Sequence, residues 1–290
     1  MTVKTLYLDC GMGAAGDMLA AALLELHPAP EDFLKRINCL GLPRVTVSAE
    51  PAIRCGITGT GLKVTIGGVV EETEELHHGG EKSLCPEKTD RLQPHAHEHT
   101  HAHTHAHTHI HHHPSHSHDH SHTGYAEIEK LIAALELPEK VKADALAVYR
   151  IIAEAEAKVH GRPVSQIHFH EVGMLDAAAD IIAVALLLYE LAPEKTIATP
   201  VCTGTGHVHC AHGILPVPAP ATLEILKGIP VYGGTVRSEL CTPTGAALLK
   251  HFVTAFAPMP LMKVENTGYG MGKKNFEQAN CVRAIYGEAL

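Results

Sequence analysis

The chain has 290 residues, a formal charge of −9 with neutral histidine, no Trp, and only five Phe and seven Tyr. That size and apolar content suit one large core or two modest ones built from Leu, Ile, Val and Ala, and the acidic balance argues against nucleic acid as a partner. The apolar runs are too short to span a membrane, and eight cysteines without a CxxC spacing fit free thiols in a reducing cytosol.

Thr5 to Asp9 reads as a short buried strand, and Met18 to Leu26 as a helix that ends before Pro28. Between them lies Cys10-Gly11-Met12-Gly13-Ala14-Ala15-Gly16-Asp17, a glycine turn opening a helix, which is a natural cradle for an anion or substrate. A dinucleotide reading of its GxGxxG spacing carries little weight, because no acidic ribose-binding residue follows at the expected strand end. Asp9 at the strand end and Asp17 at the helix start are candidate site residues, with turn formation and capping as the structural alternative.

A helix over 31–40, strands over 45–50 and 59–66, and a turn at Gly67-Gly68 follow. Cys39 and Cys55 are expected as small buried side chains. A polar linker then leads into His95 to His122, where 15 of 28 residues are histidine. This tract has almost nothing to bury and is expected to be a disordered, metal-binding insertion that raises local nickel or zinc concentration. The expected organisation is therefore an α/β segment over 1–76, the insertion over 77–123, and the rest of the main domain over 124–290.

Helices are expected over 125–135 and 139–159, the latter with Val141, Ala145, Val148, Ile152, Ala155 and Val159 along its apolar face. A strand over 165–170 then feeds a helix over 175–191. The stretch His168-Phe169-His170-Glu171-Val172-Gly173-Met174-Leu175-Asp176 with Asp180 is dense in metal-ligating side chains. His168 and His170 share a face in a strand, and Asp176 and Asp180 lie one turn apart on a helix. The histidines with one or both aspartates make a candidate shell for a divalent metal or an acid/base cluster, weighed against a hydrogen-bonded structural turn.

After a strand over 195–202 comes a second group, His207-Val208-His209-Cys210-Ala211-His212-Gly213, in which His207 and His209 share a face and Gly213 permits a bend for His212. Two HxH units suggest one shared site, against separate structural roles. A short helix over 221–226 and an edge strand over 230–232 precede Thr242-Pro243-Thr244-Gly245. Thr242 or Thr244 caps a helix over 246–256, and this turn is a candidate phosphate contact. Strands over 262–266 and 281–286 flank a glycine-rich segment, Thr267 to Lys274, expected as a flexible basic loop that closes over an anionic ligand. Lys273, Lys274, Arg283 and Arg237 are its candidate cations.

Five collinear blocks give the chain a family likeness: DCGMGAAGDMLAAAL at 9–23, HFHEVGMLDAAADI at 168–181, HGILPVPAPATLEIL at 212–226, ELCTPTGAALL at 239–249 and TGYGMGKKNFEQAN at 267–280. Together they resemble the LarC family of nickel-pincer cofactor biosynthesis proteins, as does the histidine-rich insertion. The first glycine block departs from the family's usual sGisGDM form but keeps the last glycine and Asp17. The resemblance implies nickel insertion into pyridinium-3,5-bisthiocarboxylic acid mononucleotide, giving the cofactor of lactate racemase. It also implies CTP hydrolysis with Mg²⁺ or Mn²⁺ on a C-terminal domain that longer members carry. This chain is then expected to be the N-terminal part, cut from a longer protein or one half of a split pair.

Taking the residue reading and the resemblance together, the candidate metal set is His168, His170, Asp176, His207, His209, His212 and Asp9. Glu171, His170 and Asp17 are the catalytic candidates, and Thr242, Thr244, Gly245, Lys273, Lys274 and Arg237 the cofactor-binding ones. The expected fold is α+β or α/β, a mixed sheet with packed helices. Expected partners are the mononucleotide and the CTP-binding part, with no membrane and no nucleic acid; a homo-oligomer is left open. A nickel storage or delivery protein and a metal-dependent phosphohydrolase remain as alternative functions.

Overall fold

A computed structural model describes residues 2–70, 122–210 and 213–290, without the side chains of 70, 122, 123 and 168–173. The expected insertion over 77–123 lies almost wholly outside the described residues. In chain order the elements are β1 (Val3–Asp9), α1 (Gly16–Leu26), α2 (Pro30–Cys39), β2 (Val45–Arg54), β3 (Ile57–Ile66), β4 (Val69–Val70), β5 (His122–Gly124), α3 (Tyr125–Ala134) and α4 (Glu139–His160). A 3-10 turn over Val164–Gln166 leads to β6 (His168–His170), α5 (Glu171–Leu191), β7 (Lys195–Ala198), β8 (Val201–Cys202), β9 (His207–Cys210) and β10 (Gly213–Pro216). The rest are α6 (Pro220–Ile225), β11 (Val231–Tyr232), α7 (Pro243–Phe252), β12 (Ala255–Phe256), β13 (Met262–Met271) and β14 (Cys281–Ala289).

The main sheet runs β12-β7-β1-β14-β13-β3-β2, with β4 added beside β3. β1 pairs in parallel with β7 and antiparallel with β14, so the sheet is mixed, as expected. Residues opposite each other in the ladder share a face. Leu8, Ala284 and Gly268 line up on the face that α1 covers, and Asp9, Arg283 and Tyr269 on the other. β3 shows the same alternation: Leu62, Val64 and Ile66 are buried, whereas Lys63 and Thr65 between them are not. Over the covered face lie α1 and then α5, whose run from Ile181 to Leu188 is buried all round because α4 and α7 close over it.

The glycine-rich segment is the main correction to the expected fold. Residues 267–271 are the second half of β13, not a flexible loop. A Cβ on Gly268 would lie 2.1 Å from the Ala22 carbonyl oxygen, and one on Gly270 1.8 Å from that of Met18. The glycines let α1 press its backbone onto the strand. The seam between parallel β3 and β13 is bridged by α1 itself, since Glu25 accepts the Thr60 hydroxyl and the Tyr269 amide at 2.7 and 2.8 Å.

Smaller corrections have local causes. Helix α7 starts at Pro243, whose fixed φ suits the first helical position, and stops at Phe252; Ala255–Phe256 is instead the edge strand β12. The expected strand over 165–170 shrinks to β6, because a 3-10 turn takes Val164–Gln166, and the strand over 195–202 breaks at Pro200 into β7 and β8. α5 begins at Glu171, four residues ahead of its expected start. Cys39 and Cys55 are exposed rather than buried, and Val159, at the end of the α4 stripe, is 41% exposed.

Candidate functional site

The turn after β1 is shaped by what packs against it. Gly13 takes a positive φ, and the Ala14 amide donates to the Leu240 carbonyl at 3.0 Å. The Thr242 amide donates back to the Ala14 carbonyl at 3.0 Å, so the first turns of α1 and α7 lie side by side. Beneath them Cys10, Cys202 and Cys241 are buried thiols. Burial pushes Cys10 well up and Cys241 up to about 12, so neither is a thiolate at neutral pH.

Helix α1 has no side-chain cap of its own at Ala15. Asp180 of α5 lies against this helix start instead, where the Asp17 backbone amide favours its charged form. A Cβ on Gly16 would lie 2.6 Å from Asp180 Oδ2, so glycine is what admits this carboxylate to the helix start. Asp17 and Asp176 complete a group of three acids around that point. The expected i,i+4 pairing of Asp176 with Asp180 on one side of α5 is present, and Asp17 joins it from α1.

Among the described residues, one cation serves the three. Lys273, on the turn after β13, places Nζ 3.6 Å from Asp17 Oδ2 and is held charged by all three carboxylates against the opposing effect of burial. Burial pushes Asp180 well above the usual carboxylate range, and the charges of Asp17 and Asp176 push it further. Asp17 and Asp176 are raised by the same burial, with Lys273 opposing. Tyr149 braces the group from α4, its hydroxyl donating to the Met174 carbonyl at 2.8 Å.

The turn carrying Lys273 is fixed. Arg54 Nε donates to the Gly272 carbonyl at 2.9 Å, and Asn280 Nδ2 to the Lys274 carbonyl at 2.9 Å. Lys274 points elsewhere, donating to Ser238 Oγ at 3.0 Å beside Glu239. Glu239 was not a sequence candidate; its Oε1 is buried without a hydrogen-bond partner, and burial raises its carboxyl despite Lys274.

The other candidates are dispersed. Asp9 is on the opposite face of the sheet from α1, ion-paired with Arg283 and accepting the Gly11 amide at 3.0 Å, so it does not join Asp17. His207 and His209 share the exposed face of the β9–β10 hairpin, as their spacing predicts. The side chains of His168, His170 and Glu171, and all of His212, lie outside the described residues. Thr242 Oγ1 accepts the Gly245 amide at 3.2 Å and so caps α7. Thr244 is half-buried in the first turn of α7, and Arg237 is exposed. A Cβ on Gly245 would lie 2.1 Å from the Ala14 carbonyl oxygen, which makes that glycine a packing requirement. Among the described residues, no three His, Cys, Asp or Glu side chains are already gathered to hold a metal ion, and no helix is long and apolar enough to cross a membrane.

Residues 6–289 match the family model described as nickel insertion protein. Three relatives named pyridinium-3,5-bisthiocarboxylic acid mononucleotide nickel insertion protein align over nearly the whole chain. The one from Geobacillus kaustophilus is 37% identical over 99% of this chain and 60% of its own length. Those from Staphylococcus epidermidis and Clostridium kluyveri are 36% and 37% identical, over 97% and 99% of this chain and 59% and 62% of theirs. The chain thus spans about 60% of the length of these relatives. No solved structure matches it. By this match over almost every residue, the chain belongs to the nickel insertion protein family.

Proposed function

We propose that this chain takes part in inserting nickel into pyridinium-3,5-bisthiocarboxylic acid mononucleotide, and that the product is the nickel-pincer cofactor of lactate racemase. The observation that supports this is the alignment of 99% of the chain with a relative named for that substrate. Nickel is a substrate here. Histidines of the 95–122 tract supply it, and His168, His170, His207, His209 and His212 pass it on, with Asp176 as a further ligand. Thiocarboxylate sulfur is softer than imidazole nitrogen, so transfer runs toward the product.

Two sulfurs bind the metal. The electron pair of the ring C–H bond becomes the nickel–carbon bond, and the proton passes to a base within hydrogen-bond reach, for which Glu171, His170 and Asp17 are the candidates. Asp17 has a pKa raised by burial, which makes it a better proton acceptor than an ordinary aspartate. Thr242, Thr244, Gly245, Lys274 and Arg237 are assigned to the anionic parts of the mononucleotide. CTP with Mg²⁺ or Mn²⁺ is assigned to a C-terminal part, as a domain or a separate chain, which completes the reaction. A cytosolic setting is part of the same proposal.

The test mixes the chain with precursor and nickel, with and without the CTP-binding part, CTP and manganese, and follows the absorption of the pincer product. Product is expected only in the complete mixture. Precursor left unchanged in every mixture would overturn the reading. Substituting His168 and His170 together should abolish insertion without unfolding the chain. Deleting 95–122 should impair insertion chiefly at scarce nickel, and an equal loss at ample nickel would remove the delivery role.

A further inference from the structure

Both oxygens of Asp17 are engaged in the free chain. Oδ1 accepts the Met18 amide at 2.8 Å, and Oδ2 faces Lys273 Nζ at 3.6 Å. A carboxylate that faces an amide and an ammonium is a poor proton acceptor, because both contacts favour its charged form. The Met18 contact is local to the first turn of α1 and stays. The Lys273 contact is the exchangeable one. The Asp17 side chain is 15% exposed, whereas that of Lys273 is 57% exposed. The backbone beneath Lys273 is pinned, with Arg54 donating to the Gly272 and Lys273 carbonyls at 2.9 and 3.1 Å and Asn280 to the Lys274 carbonyl at 2.9 Å. The ammonium therefore swings on a flexible stem from a fixed base.

We propose that Lys273 is a positioning residue that guards Asp17: its ammonium rests on the Asp17 carboxylate in the free chain and moves to an anionic group of the mononucleotide when that substrate arrives. This rests on the function proposed above, with Asp17 as the base. The substrate carries a phosphate and two thiocarboxylates, each an alternative partner for the ammonium. An ion pair with one half-exposed member is weak, so an incoming anion displaces Asp17 at small cost. The exchange opens Oδ2 only once the substrate is in place. The ring proton then passes to Oδ2, while the electron pair of the broken C–H bond goes to nickel. Substrate capture and release of the base are thereby coupled through one side chain, with neither backbone moving.

Nicotinic acid mononucleotide, a pyridinium mononucleotide with a ring carboxylate and a phosphate, serves as the probe, and calorimetry without nickel measures its affinity for the full chain. Asp17→Asn sets the ammonium free and should tighten binding by about fivefold, the size of a half-exposed ion pair. Lys273→Met should weaken binding by about tenfold or more, and Lys273→Arg should keep most of the wild-type affinity. The decisive comparison is Asp17→Asn in the Lys273→Met chain. Competition for the ammonium predicts a smaller benefit there, because no lysine remains to be freed. Simple repulsion between Asp17 and the anion predicts a larger one, because the lysine no longer screens the carboxylate. A benefit that is equal or larger without the lysine, or a probe bound by neither wild type nor Asp17→Asn, would overturn the proposal. With no nickel or CTP present, insertion can fail in the complete mixture while this exchange stands, and the exchange can fail while insertion proceeds.

Discussion

Asp9 and Arg283 are direct cross-strand partners on β1 and β14, and they pair on the face of the sheet that α1 does not cover. That places them away from Asp17, although Asp9 and Asp17 are only eight residues apart. The Asp9 side chain has two structural tasks, the ion pair and the Gly11 amide. Asp9→Asn keeps the amide contact and loses the charge pairing, so it should cost about 1 kcal/mol or less, the usual size for a half-exposed pair. Urea unfolding measures this. An unchanged midpoint combined with lost metal binding would instead put Asp9 in a metal site.

Gly270 separates the loop and strand readings of the glycine-rich segment. In a flexible loop Gly270→Ala is harmless. In β13 the new methyl meets the Met18 carbonyl, and backbone cannot swing aside as a side chain end can. The substitution should destabilise by about 3 kcal/mol or more, as overpacking against rigid neighbours does. Tyr269→Ala, facing the other side, should cost less. Denaturant midpoints of the two variants decide the point.

This segment also marks where reading the sequence stops. Strand β1, helix α1 and the α4 stripe are legible because their signals are local, an apolar run or a 3.6-residue period closed by glycine or proline. The pairing of Asp176 with Asp180 is legible for the same reason, being one helical turn. Glycine is ambiguous: in TGYGMG it looks like a turn signal, whereas here it makes room for a helix more than two hundred residues earlier. The partners of Lys273 were equally hidden, since a lysine after a glycine run reads as a free cation until the fold sets three aspartates before it. The packing of Asp180 against the start of α1 had no local signal at all.

Glu190 gives a pH-dependent prediction. It joins three helices, accepting Arg36 at 2.7 Å and contacting His27 Nε2 at 2.8 Å. Burial acts to raise its carboxyl, but the hydrogen bonds from Arg36 and His27 outweigh this and hold it below its ordinary value of 4.5. A carboxylate whose folded pKa is depressed contributes stability that is present above the unfolded value and lost as pH falls through the folded one. Glu190→Gln should therefore be less stable than wild type at pH near 7, with the difference closing as pH drops below about 4. Unfolding both proteins across that range checks it, and a gap that stays constant would show that packing, not charge, is what Glu190 provides.

Thr242 distinguishes capping from ligand binding at the start of α7. Its Oγ1 accepts the Gly245 amide, and the adjoining Gly245 is pressed against Ala14. Removing a threonine cap costs about 1 kcal/mol, and serine restores it. Thr242→Ala should lower stability by that amount and Thr242→Ser should not, in the absence of any ligand. Inorganic phosphate supplies the second reading. If the hydroxyl also holds the phosphate of a substrate, phosphate should raise the melting temperature of wild type and Thr242→Ser but not of Thr242→Ala. A cap with no ligand role predicts the same small phosphate effect in all three, because the amide that Thr242 satisfies is the one an anion would need.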